Sequence, residues 1–367
     1  MNDTKIYLEL AKTLTYFSFS FVISLWWAPT LIKILKNLKF WKKKVRTLST
    51  TGEELVYSVQ SSSKNETTVP RAGGLLISLT TIGFSLFFWI ILKLSPENKT
   101  LQFLNIIDRR ETFIPLATLY FGAMFGLIDD ALSTMEGGGN YHGGGLKLRH
   151  RLIMVFVLSL GIGWWFWNKL EITKIRFFGW DLIFLDWNIL GLNLNWLIIP
   201  ITVITLVGLW GTSVIDGIDG LAAGVFIPIY ICFAYLSFGK GFYDIATFLM
   251  VIVGSMMSYL WFNLPPARFI MGDTGSLCLV LTLGSVAILT GYVYLIPIAC
   301  IMPIITAGSN IIQIFSKKVF KKKVFLAAPI HHHFQAKGWS NTKIVARYWI
   351  ISTLFSLLAL VLGLIFR

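Results

Sequence analysis

The sequence predicts an all-α fold: a polytopic integral membrane protein with ten transmembrane helices and both termini outside. Of 367 residues, 55% are hydrophobic and only 14% charged, whereas a soluble domain puts roughly a quarter of its residues into charged side chains. Mean hydropathy is +0.70. Fourteen Trp and 29 Phe add the aromatic load that suits a bilayer with interfacial belts. These values exclude disordered, collagen-like and soluble-enzyme classes. The net charge of +14 fits membrane orientation and contacts with anionic membrane lipids or phosphate better than it fits nucleic acid.

A helix rising about 1.5 Å per residue needs about 20 apolar residues to cross about 30 Å of hydrocarbon. Uncharged runs of that order occupy 13–32, 72–92, 112–128, 152–168, 187–215, 220–239, 245–267, 274–316 and 348–366. The first is followed by Lys33 rather than a small-residue cleavage site, and it reads as a retained span. In 187–215 the early WNILGLNLN reads as loop, with the helix starting near Trp196. The run 274–316 is about twice the length of one crossing. A break at Gly291 to Tyr294 divides it into two helices, which brings the total to ten. Between spans, 171–186 alternates apolar and polar residues around FGWD, as a short outer β-hairpin would.

Basic residues choose the faces. Segments 33–71, 131–151, 263–275 and 316–347 carry 9, 3, 1 and 8 Lys+Arg, which is 21 of the 32 in the chain. The positive-inside bias makes that face cytoplasmic and puts both termini outside. No connection is long enough for a separate soluble domain, so residues 1–367 form a single membrane-embedded domain. Cys232, Cys278 and Cys300 lie in apolar stretches without CxxC spacing and read as packed thiols.

Five aspartates sit at span boundaries on the cytoplasmic side. Asp129 and Asp130 end FGLIDD, Asp216 and Asp219 lie in DGIDGLAAG, and Asp273 lies in FIMGDTGS. A carboxylate near hydrocarbon is costly, so a cation, a proton pathway or a substrate usually justifies it. Each alone reads equally well as a helix cap, Asp273 above all. Together, beside glycine-rich turns, they suit a divalent cation that holds phosphates, because Mg²⁺ prefers carboxylate oxygen and leaves positions for phosphate. Arg149 and Arg151 in GLKLRHR are candidates for substrate contact, whereas Lys317, Lys318 and Lys321 to Lys323 read mainly as topology and anionic-lipid charges. His331, His332 and His333 are adjacent and point about 100° apart on a helix, which argues against one zinc ion and leaves hydrogen bonding to phosphate or sugar. His142 in EGGGNYHGGG reads as a solvated loop residue, and that stretch lacks the P-loop pattern.

The ordered set PRAGG (70–74), FGLIDD (125–130), DGIDGLA (216–222), WFNLPPARFIMGDTGSL (261–277), PIHHHFQAKGW (329–339) and RYWI (347–350) resembles the polyprenyl-phosphate N-acetylhexosamine-1-phosphate transferases over nearly the whole chain. The triple histidine resembles that of the family's peptidoglycan-precursor branch. The resemblance implies transfer of phospho-N-acetylmuramoyl-pentapeptide from UDP-N-acetylmuramoyl-pentapeptide to undecaprenyl phosphate, with release of UMP, a requirement for Mg²⁺, a cytoplasmic active site in the bacterial inner membrane, and a homodimer among the assemblies it admits. It further implies Asp273 as metal ligand and Asp129 as the residue that deprotonates or positions the lipid phosphate, with Asp130 beside it. Asn263, Asp216, Asp219 and His331 to His333 become substrate contacts.

Four positions depart from the family pattern. Ser133 stands where a lysine is usual, PRAGG replaces PTMGG, Ser213 replaces an asparagine, and Ile270 replaces the aromatic before MGD, with Phe269 one step away. Arg71 is positioned to replace a lost cation. PRAGG favours relatives that transfer N-acetylglucosamine-1-phosphate, whereas HHHF and GW favour the peptidoglycan branch. A secondary transporter is the alternative outside enzymes, and it predicts acids near the midplane on broken helices.

Overall fold

The computed structural model describes residues 2–43, 67–135, 145–172, 175–177, 180–182, 188–189 and 192–366. His142 lies outside them. The long helices are α1 (Asn2–Asn37), α2 (Leu75–Leu94), α4 (Phe113–Thr134) and α5 (Leu148–Asn168), with the short α3 (Lys99–Leu104) between α2 and α4. They continue with α6 (Ile198–Gly211), α7 (Leu221–Gly239), α8 (Tyr243–Asn263) and α9 (Gly272–Leu289). The chain closes with α10 (Ile296–Ala299), α11 (Ile301–Val319), α12 (Ile330–Ala336) and α13 (Asn341–Ile365). Between α5 and α6, β1 (Ile175–Phe177) pairs antiparallel with β2 (Trp180–Leu182), and β3 (Asn188–Ile189) with β4 (Leu192–Asn193).

Among the described residues nine helices are long and apolar enough to cross a membrane. The tenth expected span is a bent pair: residues Val293–Ala299 meet Ile301–Val319 at 76°. The break at Gly291 falls where the sequence places it, with φ +73°. The bend after α10 was not expected. The break falls at Cys300, which closes α10 and precedes α11, and it is flanked by Pro297 and Pro303, neither of which has a backbone N–H to carry a helical ladder across it. The helix expected near Trp196 begins as a 3₁₀ turn at Leu194 and becomes α6 at Ile198.

Helices α7, α8 and α9 form the enclosed centre, with α4 laid along α9, α1 along α8 and α13 along α7. Two glycines set the α4–α9 distance. A Cβ on Gly126 would lie 2.2 Å from the Asp273 carbonyl oxygen, and one on Gly122 would lie 2.7 Å from the Cys278 Cα. Four residues apart, they share one face and let the two backbones touch. The 70–74 segment is pinned to the entry of α9 by backbone bonds: Ile270 N–H to Pro70 O (2.8 Å), Gly73 N–H to Ile270 O (2.7 Å) and Gly74 N–H to Met271 O (3.0 Å).

Gly126→Ala therefore forces α4 away from α9 and is expected to cost about 1–3 kcal/mol of stability. Gly83→Ala, where an added Cβ meets nothing within 4 Å, leaves stability unchanged. Thermal unfolding of both variants in detergent checks the contrast.

Candidate active site

The first N–H groups of a helix have no partner within it and attract anions. At the start of α9 two carboxylates from elsewhere in the chain supply what is missing. Asp130 Oδ1 accepts the Asp273 N–H (3.2 Å), and Oδ2 accepts the Thr274 N–H (3.0 Å) and hydroxyl (2.7 Å). Asp216 Oδ2 accepts the Gly272 N–H (2.9 Å). Gly272 has φ +70°, and a Cβ there would strike Asp130 Oδ2 at 2.2 Å, so this turn needs glycine.

Asp130 is fully buried and also accepts Arg71 Nε at 3.1 Å. Its oxygens are thus committed to holding α9 in place. Arg71 is likewise turned inward onto Asp130. Ser133, where the family has lysine, donates to the Asp130 carbonyl oxygen at 2.7 Å.

Asp129, next along α4, faces the other way. Its Oδ1 accepts the Leu146 N–H at 2.7 Å and its Oδ2 takes Arg151 Nη2 at 2.6 Å. Arg151 Nη1 reaches Asp273 Oδ2 at 3.2 Å, and its Nε donates to the Leu146 carbonyl at 3.2 Å. One guanidinium at the start of α5 therefore joins the carboxylates of α4 and α9. Arg149 lies exposed, two residues earlier. Beside Asp129 and Arg151 a shallow open recess has apolar walls from Phe125, Met154, Val155, Trp210 and Leu277. These wall residues had no sequence signal, because they are ordinary apolar residues of spanning helices.

Asp216 is half-buried, and burial foremost pushes its carboxyl up to about 7, against the opposing pull of Arg71 and the Gly272 N–H. Asp219 lies half-buried in the same loop. Asn263 is engaged at both ends: its oxygen accepts the Gly220 N–H (2.8 Å) and its nitrogen donates to the Phe269 carbonyl (2.9 Å). This amide ties the acidic loop to the α8–α9 connection, and it is buried. Phe269 is fully buried against Tyr259, with ring centres 4.9 Å apart, so it is packed in the core rather than presented to a ligand.

Helix α12 carries the three histidines to the same loop. A Cβ on Gly217 would lie 2.3 Å from His331 Nε2, so that ring rests on the acidic loop's backbone. His331 is 1% exposed, and among the described residues neither ring nitrogen has a hydrogen-bond partner. Burial, then the neighbouring His332, holds it well below the ordinary histidine value, which leaves it neutral at pH 7. His332 Nδ1 pairs with Gln335 Oε1 at 2.6 Å, and His333 Nδ1 accepts the Leu326 N–H at 3.1 Å. The structure thus brings Asp129, Asp273 and Arg151 together, with Asp130, Arg71 and Asp216 behind them and His331 across the acidic loop. Among the described residues no group of three or more His, Cys, Asp or Glu is arranged to hold a metal ion unaided.

Residues 112–291 match the family model described as glycosyl transferase family 4, which makes this bundle a membrane-embedded transferase. Among curated relatives, the phospho-N-acetylmuramoyl-pentapeptide-transferase of Methylacidiphilum infernorum is 31% identical over 84% of this chain and 83% of its own length. That of Caldicellulosiruptor bescii is 31% identical over 93% and 94%, and that of Halalkalibacterium halodurans 28% over 94% and 95%. The chain belongs to the phospho-N-acetylmuramoyl-pentapeptide transferase family.

Because the Asp216 carboxyl sits above its ordinary 3.8, the folded state binds the extra proton between roughly pH 4 and 7. Its contribution to stability falls as pH rises through that window. Asp216→Asn keeps an acceptor for Gly272 and removes the titration. The melting-temperature difference, variant minus wild type, is expected to grow from pH 5 to pH 8 in divalent-free buffer.

Proposed function

We propose that this protein transfers phospho-N-acetylmuramoyl-pentapeptide from UDP-N-acetylmuramoyl-pentapeptide to undecaprenyl phosphate, giving the lipid-linked product and UMP. The observation that carries the reading is the Asp129–Arg151–Asp273 constellation. It lies at the ends of two apolar helices and opens onto an apolar recess. A water-soluble diphosphate and a lipid phosphate can meet only at such a boundary. The basic-residue bias of the connecting segments supports a cytoplasmic position for the site and an outside position for both termini.

In the reaction an oxygen of the lipid phosphate attacks the β-phosphorus of the UDP-sugar, and the bond from that phosphorus to the bridging oxygen breaks to release UMP. Asp129, facing the recess, holds the lipid phosphate in line and accepts its proton where one remains. A phosphate monoester's second pKa is about 6, so most of the acceptor is already dianionic at pH 7, and positioning is the larger contribution. Arg151 neutralises charge as two anions approach. Beside the buried, neutral His331, the half-buried His332 and His333 on α12 offer hydrogen bonds to sugar and phosphate over the acidic loop.

Asp273 and Asp129 fit Mg²⁺, an ion that is commonly held by one or two carboxylates plus substrate phosphates rather than by an all-protein cage. Bound there, it supplies charge neutralisation for the departing UMP. A transfer of N-acetylglucosamine-1-phosphate rests on PRAGG, yet Arg71 of that motif is turned onto Asp130 and serves the fold. The convergence of the acids at one end of the bundle speaks against a transport pathway through its middle.

With undecaprenyl phosphate and Mg²⁺, UMP release is expected from UDP-N-acetylmuramoyl-pentapeptide and not from UDP-N-acetylglucosamine. A chelator abolishes it, and Asp273→Asn lowers it by roughly a hundredfold or more while thermal unfolding shows an intact fold. Release from UDP-N-acetylglucosamine instead would assign the protein to the other branch.

Asp129→Asn separates positioning from base catalysis. Lost positioning leaves turnover depressed at every pH. A lost proton acceptor is partly compensated as rising pH deprotonates the lipid phosphate. The expected outcome is a deficit that stays constant from pH 6.5 to 9.

A further inference from the structure

Away from the aspartates, the densest charge in the chain is the lysine cluster at the end of α11. Helix α11 meets the preceding helical segment of this broken span at 76°. Its buried face is small or polar, with Thr306, Ser309, Gln313 and Ser316, while Ile304, Ile305, Ile311, Ile312, Phe315 and Val319 are exposed. A helix in a membrane protein that turns its apolar face outward is turned to lipid.

The chain then reverses and is latched along α11. Gln313 Oε1 accepts the Val324 N–H (3.1 Å) and the Phe325 N–H (2.9 Å), its Nε2 donates to the Phe325 carbonyl (3.0 Å), and Ser316 Oγ donates to the Lys322 carbonyl (2.9 Å). The reversal leaves Lys318, Lys321 and Lys322 exposed beside Phe320, Val324 and Leu326, whose exposures are 63%, 54% and 52%. Neither bulk water nor hydrocarbon suits this mixture. At the headgroup level both halves are satisfied, since apolar side chains enter the acyl boundary and ammonium groups reach phosphates.

We propose that the hairpin 316–326 binds anionic phospholipid headgroups, and that this contact holds α12 against the acidic loop. The connection to α12 is short and fixed: the Leu326 N–H donates to His333 Nδ1 (3.1 Å), the Ile330 N–H to Ser309 Oγ (2.9 Å), and His331 rests on Gly217. A hairpin seated on headgroups steadies the helix that closes over the site. The binding stands on its own, whereas its effect on turnover rests on the transferase reading above.

The test places the full chain in nanodiscs of phosphatidylcholine alone or with about a third phosphatidylglycerol, and follows hydrogen exchange of 316–337 together with UMP release. Each lysine at an anionic surface favours the bound state by roughly fivefold. Phosphatidylglycerol is therefore expected to slow exchange of this segment at least tenfold and to raise turnover. In the triple variant Lys318→Gln, Lys321→Gln, Lys322→Gln both differences vanish while phosphatidylcholine-level turnover remains. Should that variant fold poorly, wild type in about 0.5 M salt carries the test, and screening must remove the difference. Equal exchange in the two compositions, a variant that keeps the difference, or the same protection from inorganic phosphate added to phosphatidylcholine discs overturns the proposal. Protection that follows phosphatidylglycerol in a protein that releases no UMP overturns the transferase reading and leaves the lipid site standing.

Discussion

The arrangement of the whole site depends on one buried carboxylate. Asp130 takes four donors, namely the N–H groups of Asp273 and Thr274, the Thr274 hydroxyl and Arg71 Nε. A carboxyl group with no exposure is costly unless its oxygens find partners, and here a helix N-terminus and a guanidinium supply them. The contact also fixes register. With Asp130 held against α9, the preceding residue on α4 is rotated about 100° away, so Asp129 must point toward α5. The glycine contacts of α4 with α9 are what bring Asp130 within reach of that N-terminus.

This division explains why one end of the bundle concentrates so much negative charge. Asp130 and Asp216 both cap the start of α9, and their oxygens are engaged by backbone N–H groups. Asp129 and Asp273 share Arg151, and Asp273, with 23% of its side chain exposed, is the more open of the two. A single guanidinium between two carboxylates leaves one negative charge over, in a place where burial makes it expensive. Such a pair is poised for a further cation or a proton, and phosphate chemistry brings both.

The sequence made much of this legible, for identifiable physical reasons. Spans are read from length and hydropathy, which are properties of contiguous residues, and nine of the ten appear among the described residues as helices long and apolar enough to cross. The bend before α11 escaped because Pro297 and Pro303 sit within a run whose composition is otherwise uniformly apolar. The boundary aspartates were conspicuous because charge there is rare, but their division into caps and open groups was not. That depends on side-chain direction across helices 143 residues apart, as from Asp130 to Asp273. Arg151 and Arg149 looked equivalent in GLKLRHR, and only the helical phase of α5 separates them. The resemblance implies a substrate contact for Asn263, and Arg71 is a candidate replacement cation, but their partners in the folded chain, backbone for Asn263 and Asp130 for Arg71, depend on side-chain direction and had no sequence signal.

A site at a membrane boundary must admit two reactants that prefer opposite solvents, and the elements around α9 answer each in turn. On the lipid side, the spanning helices α4, α5 and α6 wall an apolar recess that ends on Asp129. On the reading proposed above, this is the side from which the lipid phosphate approaches. On the other side, the acidic loop and the histidine helix are built from short elements with many backbone bonds to side chains. Such segments take up polar ligands more readily than closely packed spans do. The bend ahead of α11 serves the second side. Helix α9 leads the chain away from the aspartates, the bent pair of α10 and α11 brings it back, and the lysine hairpin and α12 then set His331 on the loop between Asp216 and Asp219. The same proline-weakened stretch that disrupts the count of spans is what delivers the histidines to the aspartates.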